Sequence, residues 1–330
     1  MLLRPVPRHG APGGPFRERI VVVGGVRTRA LRVEGDGPPT LLLHGYTDSA
    51  DTWRPLLHEL HARGRAAIAV DMPGHGHADP PRPAAILPQL RSFATAFAHQ
   101  HPGAVLTGNS LGGLSALLAG EERGLPVAGL VPIGPAGLGY QPWFLAMRHL
   151  ITPGLIAGST LPAVTARIAV SRVFSLIAAQ HPIPDDVLRR YASHYRDRKR
   201  VRGFLTMVRR LQSEGMPGCL DIARIEAPIL VVWGRHDSLV PAAGAALIRA
   251  ERPDAELEIW EDCGHCPQLE VPGRLADRIG GFADGVATTM PHALDTGTAQ
   301  TPGAPRMPVP QTPGASQVLG AARAQRVATA

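Results

Sequence analysis

Three residues far apart in the chain have the types and settings that acyl-transfer chemistry requires. Ser110 stands in Gly108-Asn109-Ser110-Leu111-Gly112, followed by Gly113; Asp237 stands in WGRHDSLVP, and His265 in EDCGHCPQLE. A serine hydroxyl is a poor nucleophile at neutral pH. It needs an imidazole to take its proton and a carboxylate to hold that imidazole in place. The order Ser, Asp, His is the one expected when the nucleophile rides a sharp strand-to-helix turn. Read singly, a helix cap is the minor alternative for Asp237 and a surface loop histidine the minor alternative for His265. Three right types on three right loops are much harder to obtain by accident.

The glycines have a steric purpose. A nucleophile on a tight, strained turn leaves no room for side chains where the turn crosses the neighbouring strand and helix. The helix that starts at Leu111 offers free N–H groups and a positive dipole end to a developing oxyanion. The Leu111 N–H is the expected first donor. The second is expected from His44-Gly45-Tyr46, after the strand TLLL, through the Tyr46 N–H. His44 itself reads as structural, because His265 already fits the base role.

These residues need a scaffold, and the hydrophobic pattern supplies one. Two β-rich runs, 19–23 and 26–33, flank Gly24-Gly25 as a hairpin. Strands are then expected at 40–43, 66–71, 104–107 and 127–133, alternating with helices at 50–62 (Ser49 or Asp51 as cap), 86–100 and 111–122. The alternation stops between Pro135 and about Pro217, which reads as helices alone. It resumes with strands at 229–233 and 256–260 and helices at 241–251 and 267–282. Continuous apolar strands alternating with helices imply an α/β architecture, a mostly parallel sheet covered on both faces, with a helical cap inserted between strands. The expected division is a flexible N-terminus (1–18), a core (19–134 and 218–284), a cap (135–217) and a disordered Pro/Thr/Ala/Gly-rich tail (285–330). Asp237 and His265 then fall at carboxyl ends of strands, where such sheets place their sites.

Composition narrows the function classes. The 330 residues are 44% hydrophobic and 18% charged, as in ordinary globular proteins. The formal charge of +7 comes almost entirely from arginine, with Lys199 the only lysine. No basic face on a recognisable reading element accompanies it, which argues against a nucleic-acid partner. Cys219, Cys263 and Cys266 are too few and too uneven for a disulfide framework. Cys263 and Cys266 bracket His265, but no second ligand cluster exists to complete a metal site, and small residues packing beside the loop is the simpler account. The sequence shows no signal-peptide h-region, and its longest apolar stretch, 150–180, is broken by Pro153, Pro162, Arg167 and Arg172. The expectation is a cytoplasmic enzyme on a small-molecule substrate, with no metal, no cofactor and no stable membrane insertion. The arginine-dense segment 189–210 reads as a solvated helical face, with a substrate-carboxylate clamp as the alternative. The apolar run 150–179 is expected to line the inside of the cap.

HGYTDS, DMPGHGHADP, GNSLGG, WGRHDSLVP and CGHCPQLE occur in the order and spacing of the α/β-hydrolase superfamily, and the chain resembles it from about residue 20 to 284. The resemblance implies a serine hydrolase, and the motifs look like those of the superfamily's esterase and carbon–carbon-bond hydrolase branches. Serine at position 110 sets the chain apart from epoxide hydrolases and haloalkane dehalogenases, whose elbows carry aspartate. The Asn109-Ser110 pair resembles the elbow of meta-cleavage-product hydrolases, which makes Asn109 an expected substrate-binding residue. Those enzymes also use a cap arginine, for which Arg189 or Arg190 is the counterpart, and they carry tryptophan where this chain has Cys266. Ester hydrolysis, C–C bond hydrolysis, acyl transfer on the same triad and a non-catalytic ligand receptor on the same fold are the functions the resemblance leaves in view.

Overall fold

A computed structural model describes residues 15–139, 180–181, 183, 185–193, 198–214 and 218–289. The chain opens with a hairpin, β1 (Arg17–Val23) and β2 (Val26–Val33), turned at Gly24-Gly25. There follow β3 (Asp36–Leu43), a 3-10 turn over Ala50–Trp53, α1 (Arg54–Ala62), β4 (Arg65–Val70), α2 (Ile86–His99), β5 (Ala104–Asn109), α3 (Leu111–Gly120) and β6 (Val127–Ile133). Two helices represent the expected cap, α4 (Asp185–Ser193) and α5 (Arg198–Ser213). The core resumes with β7 (Leu230–Gly234), α6 (Gly244–Glu251), β8 (Glu256–Trp260), α7 (Pro267–Glu270) and α8 (Pro272–Thr289).

Among the described residues eight strands form one sheet in the order β1-β2-β4-β3-β5-β6-β7-β8. β2 is antiparallel to both its neighbours, and every pairing from β4 onward is parallel. Consecutive apolar residues serve opposite faces. Leu41, Leu43, Leu106 and Trp233 pack with α2, α3 and α6, whereas Leu42, Val105 and Val232 pack with α1 and α8. Burying each such side chain stabilises the fold by roughly 1.5–3 kcal/mol, which is why the strands read as unbroken apolar runs.

The structure refines four expectations. The helix over 50–62 begins as a 3-10 turn, with the Ser49 side chain accepting from the Asp51 N–H at 3.3 Å. The last helix is two: Val271, at φ −139°, leaves the helical region before Pro272, as the residue preceding a proline tends to. α8 then runs to Thr289, beyond both the expected end at 282 and the expected start of the tail at 285. Val286 explains the extension, because it continues the buried stripe Leu275, Ile279, Phe282 along one helix face. At the other end, β1 starts at Arg17, inside the expected flexible segment.

In α5, Phe204, Leu205, Met207 and Leu211 are buried while Arg202 and Arg209 are exposed, an amphipathic helix with its arginines outward. After it, Glu214 accepts from the Ile86 and Leu87 N–H groups at 2.7 and 2.8 Å, capping α2. The run 150–179, expected inside the cap, lies outside the described residues.

Candidate active site

The turn from β5 into α3 is strained as its glycines foretell. Ser110 has φ 54° and ψ −113°, a conformation that side chains other than glycine rarely adopt and that costs on the order of 1–3 kcal/mol. A Cβ on Gly108 would strike the Gly112 main chain, and one on Gly112 would strike the Leu43 carbonyl. The strain is held in place by β6: the Ser110 N–H donates to Ile133 O at 2.9 Å, and Ala136 N–H donates to Ser110 O at 3.0 Å.

Asp237 and His265 come together from the ends of β7 and β8. The imidazole Nδ1 lies 2.7 Å from Asp237 Oδ2. With an ionised Asp237, Nδ1 is the donor, which leaves Nε2 unprotonated and able to accept a proton. The other carboxylate oxygen, Oδ1, accepts from the Leu239 and Val240 N–H groups at 2.9 and 2.8 Å, so the carboxylate is fixed from both sides. Gly134 backs onto this pair: a Cβ there would stand 3.0 Å from Asp237 Oδ2 and 3.5 Å from His265 Nδ1. The end of β6 thus touches the elbow through Ile133 and Ala136, and the acid–imidazole pair through Gly134.

The loop after β3 reaches the same place. A Cβ on Gly45 would lie 3.4 Å from Ser110 Cβ, which puts the Gly45-Tyr46 peptide against the elbow. His44 holds that peptide. Its Nε2 accepts from the Met72 N–H at 2.8 Å, so Nδ1 carries the hydrogen and donates to Gly45 O at 2.7 Å. Burial lowers the His44 pKa to about 4, against the pull of Asp71, and keeps the ring neutral. The structural reading of His44 therefore stands. The Tyr46 hydroxyl donates to Phe204 O at 2.5 Å, tying α5 to this loop.

A buried ionic cluster braces the loops and was not apparent from sequence. Arg29 on β2 donates to both oxygens of Asp71, at 3.0 and 3.1 Å, and to Asp51 at 2.7 Å. Asp71 also accepts from the Ala50 and His77 N–H groups at 2.7 and 2.8 Å. Burial pushes the Asp71 carboxyl upward, but Arg29 outweighs it and holds the group below the usual carboxylate range. The only sequence signal was DMPGHGHADP, which marked a loop without showing its partner.

Three expectations for binding residues meet a different arrangement. Asn109 is buried, and its amide donates to His265 O at 2.9 Å and Ile133 O at 3.3 Å while its Oδ1 accepts from Gln268 at 3.1 Å. It joins the elbow to the histidine loop rather than reaching out to a substrate. Arg189 is exposed. Arg190 lies 3.8 Å from Asp186, an ion-pair partner one helical turn away, and lines a recess with Asp48 and Asp51. Cys263 and Cys266 are buried, the first in the core beneath β8 and the second against Ile183, Val187 and Leu269, where burial pushes both thiols up. Packing is their observed role.

The sequence profile of the Alpha/beta hydrolase family matches residues 40–278, and the chain belongs to that family. Uncharacterized proteins of Mycobacterium tuberculosis and Mycobacterium bovis are 30% identical over 89% of this chain and 86% of theirs. The 2-hydroxy-6-oxo-6-phenylhexa-2,4-dienoate hydrolase of Burkholderia cepacia is 27% identical over 73% of this chain and 85% of its own. Among solved structures, a serine hydrolase involved in carbazole degradation superimposes with a TM-score of 0.67 over 82% of this chain and 99% of the other, at 24% identity. At that identity the likeness bears on the fold alone. No helix among the described residues is long and apolar enough to cross a membrane.

Proposed function

We propose that the protein is a serine hydrolase that cleaves a carboxylic ester of a small, largely apolar molecule through an acyl-enzyme. The observation that carries the reading is the 2.7 Å contact between His265 Nδ1 and Asp237 Oδ2, joined through Asn109 to a Ser110 held at positive φ. Ser110 Oγ attacks the ester carbonyl while His265 Nε2 takes its proton. The oxyanion forms against the Tyr46 and Leu111 N–H groups, and Asp237 stabilises the imidazolium. His265 then protonates the departing alkoxide. Water, deprotonated by the same nitrogen, releases the acid and restores Ser110. Ser110→Ala should retain the fold and lose turnover of a short p-nitrophenyl ester, and a fluorophosphonate should label the parent stoichiometrically and the variant not at all. Turnover by Ser110→Ala near that of the parent removes the proposal; failure of the parent to label would favour a receptor that merely keeps the fold.

A second reading, hydrolysis of a C–C bond in a ring-fission product, is favoured by the likeness to the Burkholderia cepacia enzyme. It requires a cation for the substrate carboxylate, and the ion pair of Arg190 with Asp186 competes for that residue. A panel of coloured dienols beside acyl esters of increasing length separates the two.

A further inference from the structure

Among the described residues, two that are not glycine hold a positive φ: Ser110 at the elbow and Thr47, at 63°, in the loop after β3. The strain at Ser110 belongs to the sharp turn into α3. Thr47 needs a separate account. A β-branched residue at positive φ is a genuine outlier, and such strain persists only where the surroundings impose it.

The strain closes a turn. The Asp48 N–H donates to Gly45 O at 3.4 Å, so Gly45 to Asp48 make a tight turn with Thr47 third, the place that glycine or asparagine ordinarily fills. Gly45 O also accepts from His44 Nδ1 at 2.7 Å. A trans peptide is planar, with its C=O and N–H pointing opposite ways, so two donors on Gly45 O fix the direction of the Tyr46 N–H. That peptide lies against the elbow, where a Cβ on Gly45 would stand 3.4 Å from Ser110 Cβ. Relaxing Thr47 to negative φ would withdraw the Asp48 N–H and let the peptide tilt about its contact with His44.

The partner that opposes this relaxation comes from α4. Thr47 Oγ1 and the Tyr191 hydroxyl share a hydrogen bond of 2.8 Å, and both residues are buried. Tyr191 stands one helical turn after Val187, which packs with Cys266 and Leu269. One stretch of α4 therefore meets both the loop of Tyr46 and the loop of His265.

We infer that Tyr191 is a positioning residue: by holding Thr47 in its left-handed conformation it aims the Tyr46 N–H at the oxyanion, so that the site is complete only while α4 is seated. The inference rests on the ester-hydrolase reading above, from which it takes the role of the Tyr46 N–H.

Tyr191→Phe, Thr47→Gly and the double variant are compared with the parent on a short p-nitrophenyl ester. Tyr191→Phe should lower kcat roughly tenfold with KM little changed, because a misaimed donor costs less than the roughly 10²–10³-fold of a donor removed. Glycine takes a positive φ without help, so Thr47→Gly should stay within about threefold of the parent. The double variant should match Thr47→Gly, and so turn over faster than Tyr191→Phe alone. A tyrosine whose hydroxyl merely steadied the helix would show the same loss in both chains. Four results overturn the inference: Tyr191→Phe with the kcat of the parent, a loss carried by KM instead, equal losses on Tyr191→Phe in the threonine and glycine chains, or Thr47→Gly as slow as Tyr191→Phe. A parent without turnover would sink the ester-hydrolase reading, and melting temperatures then test the hold of Tyr191 on Thr47 by itself. Tyr191→Phe should lower the melting temperature more in the threonine chain than in the glycine chain, and equal drops overturn that hold.

Discussion

The side-chain amide of Asn109 donates to the main-chain carbonyl of His265 at 2.9 Å, so the residue beside Ser110 holds the loop of His265. The two are 156 positions apart in the chain. Asn109→Ala removes this link and leaves the His265 carbonyl and Gln268 without a partner they now have. An unsatisfied buried group costs about 1–3 kcal/mol. The expected outcome on a p-nitrophenyl ester is a kcat lowered at least tenfold with KM little changed, because substrate contacts persist while the base loses its register. A kcat within twofold of the parent would show that the loop is held by other means.

Asp237→Asn keeps the size of the side chain and its contacts with the Leu239 and Val240 N–H groups, but withdraws the charge facing His265 Nδ1. An amide in that position favours the wrong imidazole tautomer, and kcat should fall on the order of 10³–10⁴-fold. Fluorophosphonate labelling of Ser110 should slow in parallel. Labelling at the parent rate would mean that the carboxylate does not orient the base.

Asp48 gives a pH signature. It is buried, accepts from the Ser49 N–H at 2.7 Å, and is pushed by burial up to about 7 against that hydrogen bond and Thr52. The folded state therefore holds this proton more tightly than the unfolded chain. Its contribution to stability is full at acid pH and is lost as pH rises through about 7. His44 works in reverse: its pKa falls to about 4 on folding, so its contribution is full above the ordinary histidine range and lost as pH drops toward 4. The two oppose each other between about pH 4 and 7. Asp48→Asn leaves His44 unopposed. Relative to the parent, the variant should gain on the order of 2 kcal/mol between pH 5 and pH 8, about 5 °C in melting temperature. Equal melting differences at the two pH values would exclude a buried, weakly acidic Asp48.

Ser110, Asp237 and His265, the triad proposed above, stand out in the sequence because each depends on local pattern: GNSLGG after AVLT, an aspartate after LVVW, a histidine after ELEIW. Local pattern also fixed most strands, since a strand buried on both faces is apolar throughout. The Arg29–Asp71–Asp51 cluster could not be read this way. It exists because β4 inserts between β2 and β3, a fact of sheet order that no short segment encodes. The contacts of Asn109 were hidden for a similar reason: its partners His265 and Gln268 become neighbours only when β8 has delivered its loop to the elbow. The end of α8 depended on one residue, Val286, whose burial is decided by the surface it meets rather than by the composition around it.

Gly134 is the most exacting test of how β6 supports the site. Its φ of 46° and its position behind the Asp237–His265 pair make two separate demands on this residue. An alanine there takes a left-handed conformation at a cost of roughly 1–2 kcal/mol, which a domain of this size should survive. The methyl group would also stand 3.0 Å from Asp237 Oδ2, tighter than ordinary contact, and 3.5 Å from His265 Nδ1, at ordinary contact, and the carboxylate has little room to retreat. The Leu239 and Val240 N–H groups hold the carboxylate, and Asn109 holds the histidine's backbone. The strain should therefore open the 2.7 Å hydrogen bond. Gly134→Ala should fold with a melting temperature a few degrees lower and lose roughly tenfold in kcat, since the carboxylate must give way by a few tenths of an ångström and lengthen its contact with the imidazole. If kcat fell only in proportion to the folded fraction, Gly134 would be a backbone requirement alone, and the acid–base pair would owe nothing to the end of β6.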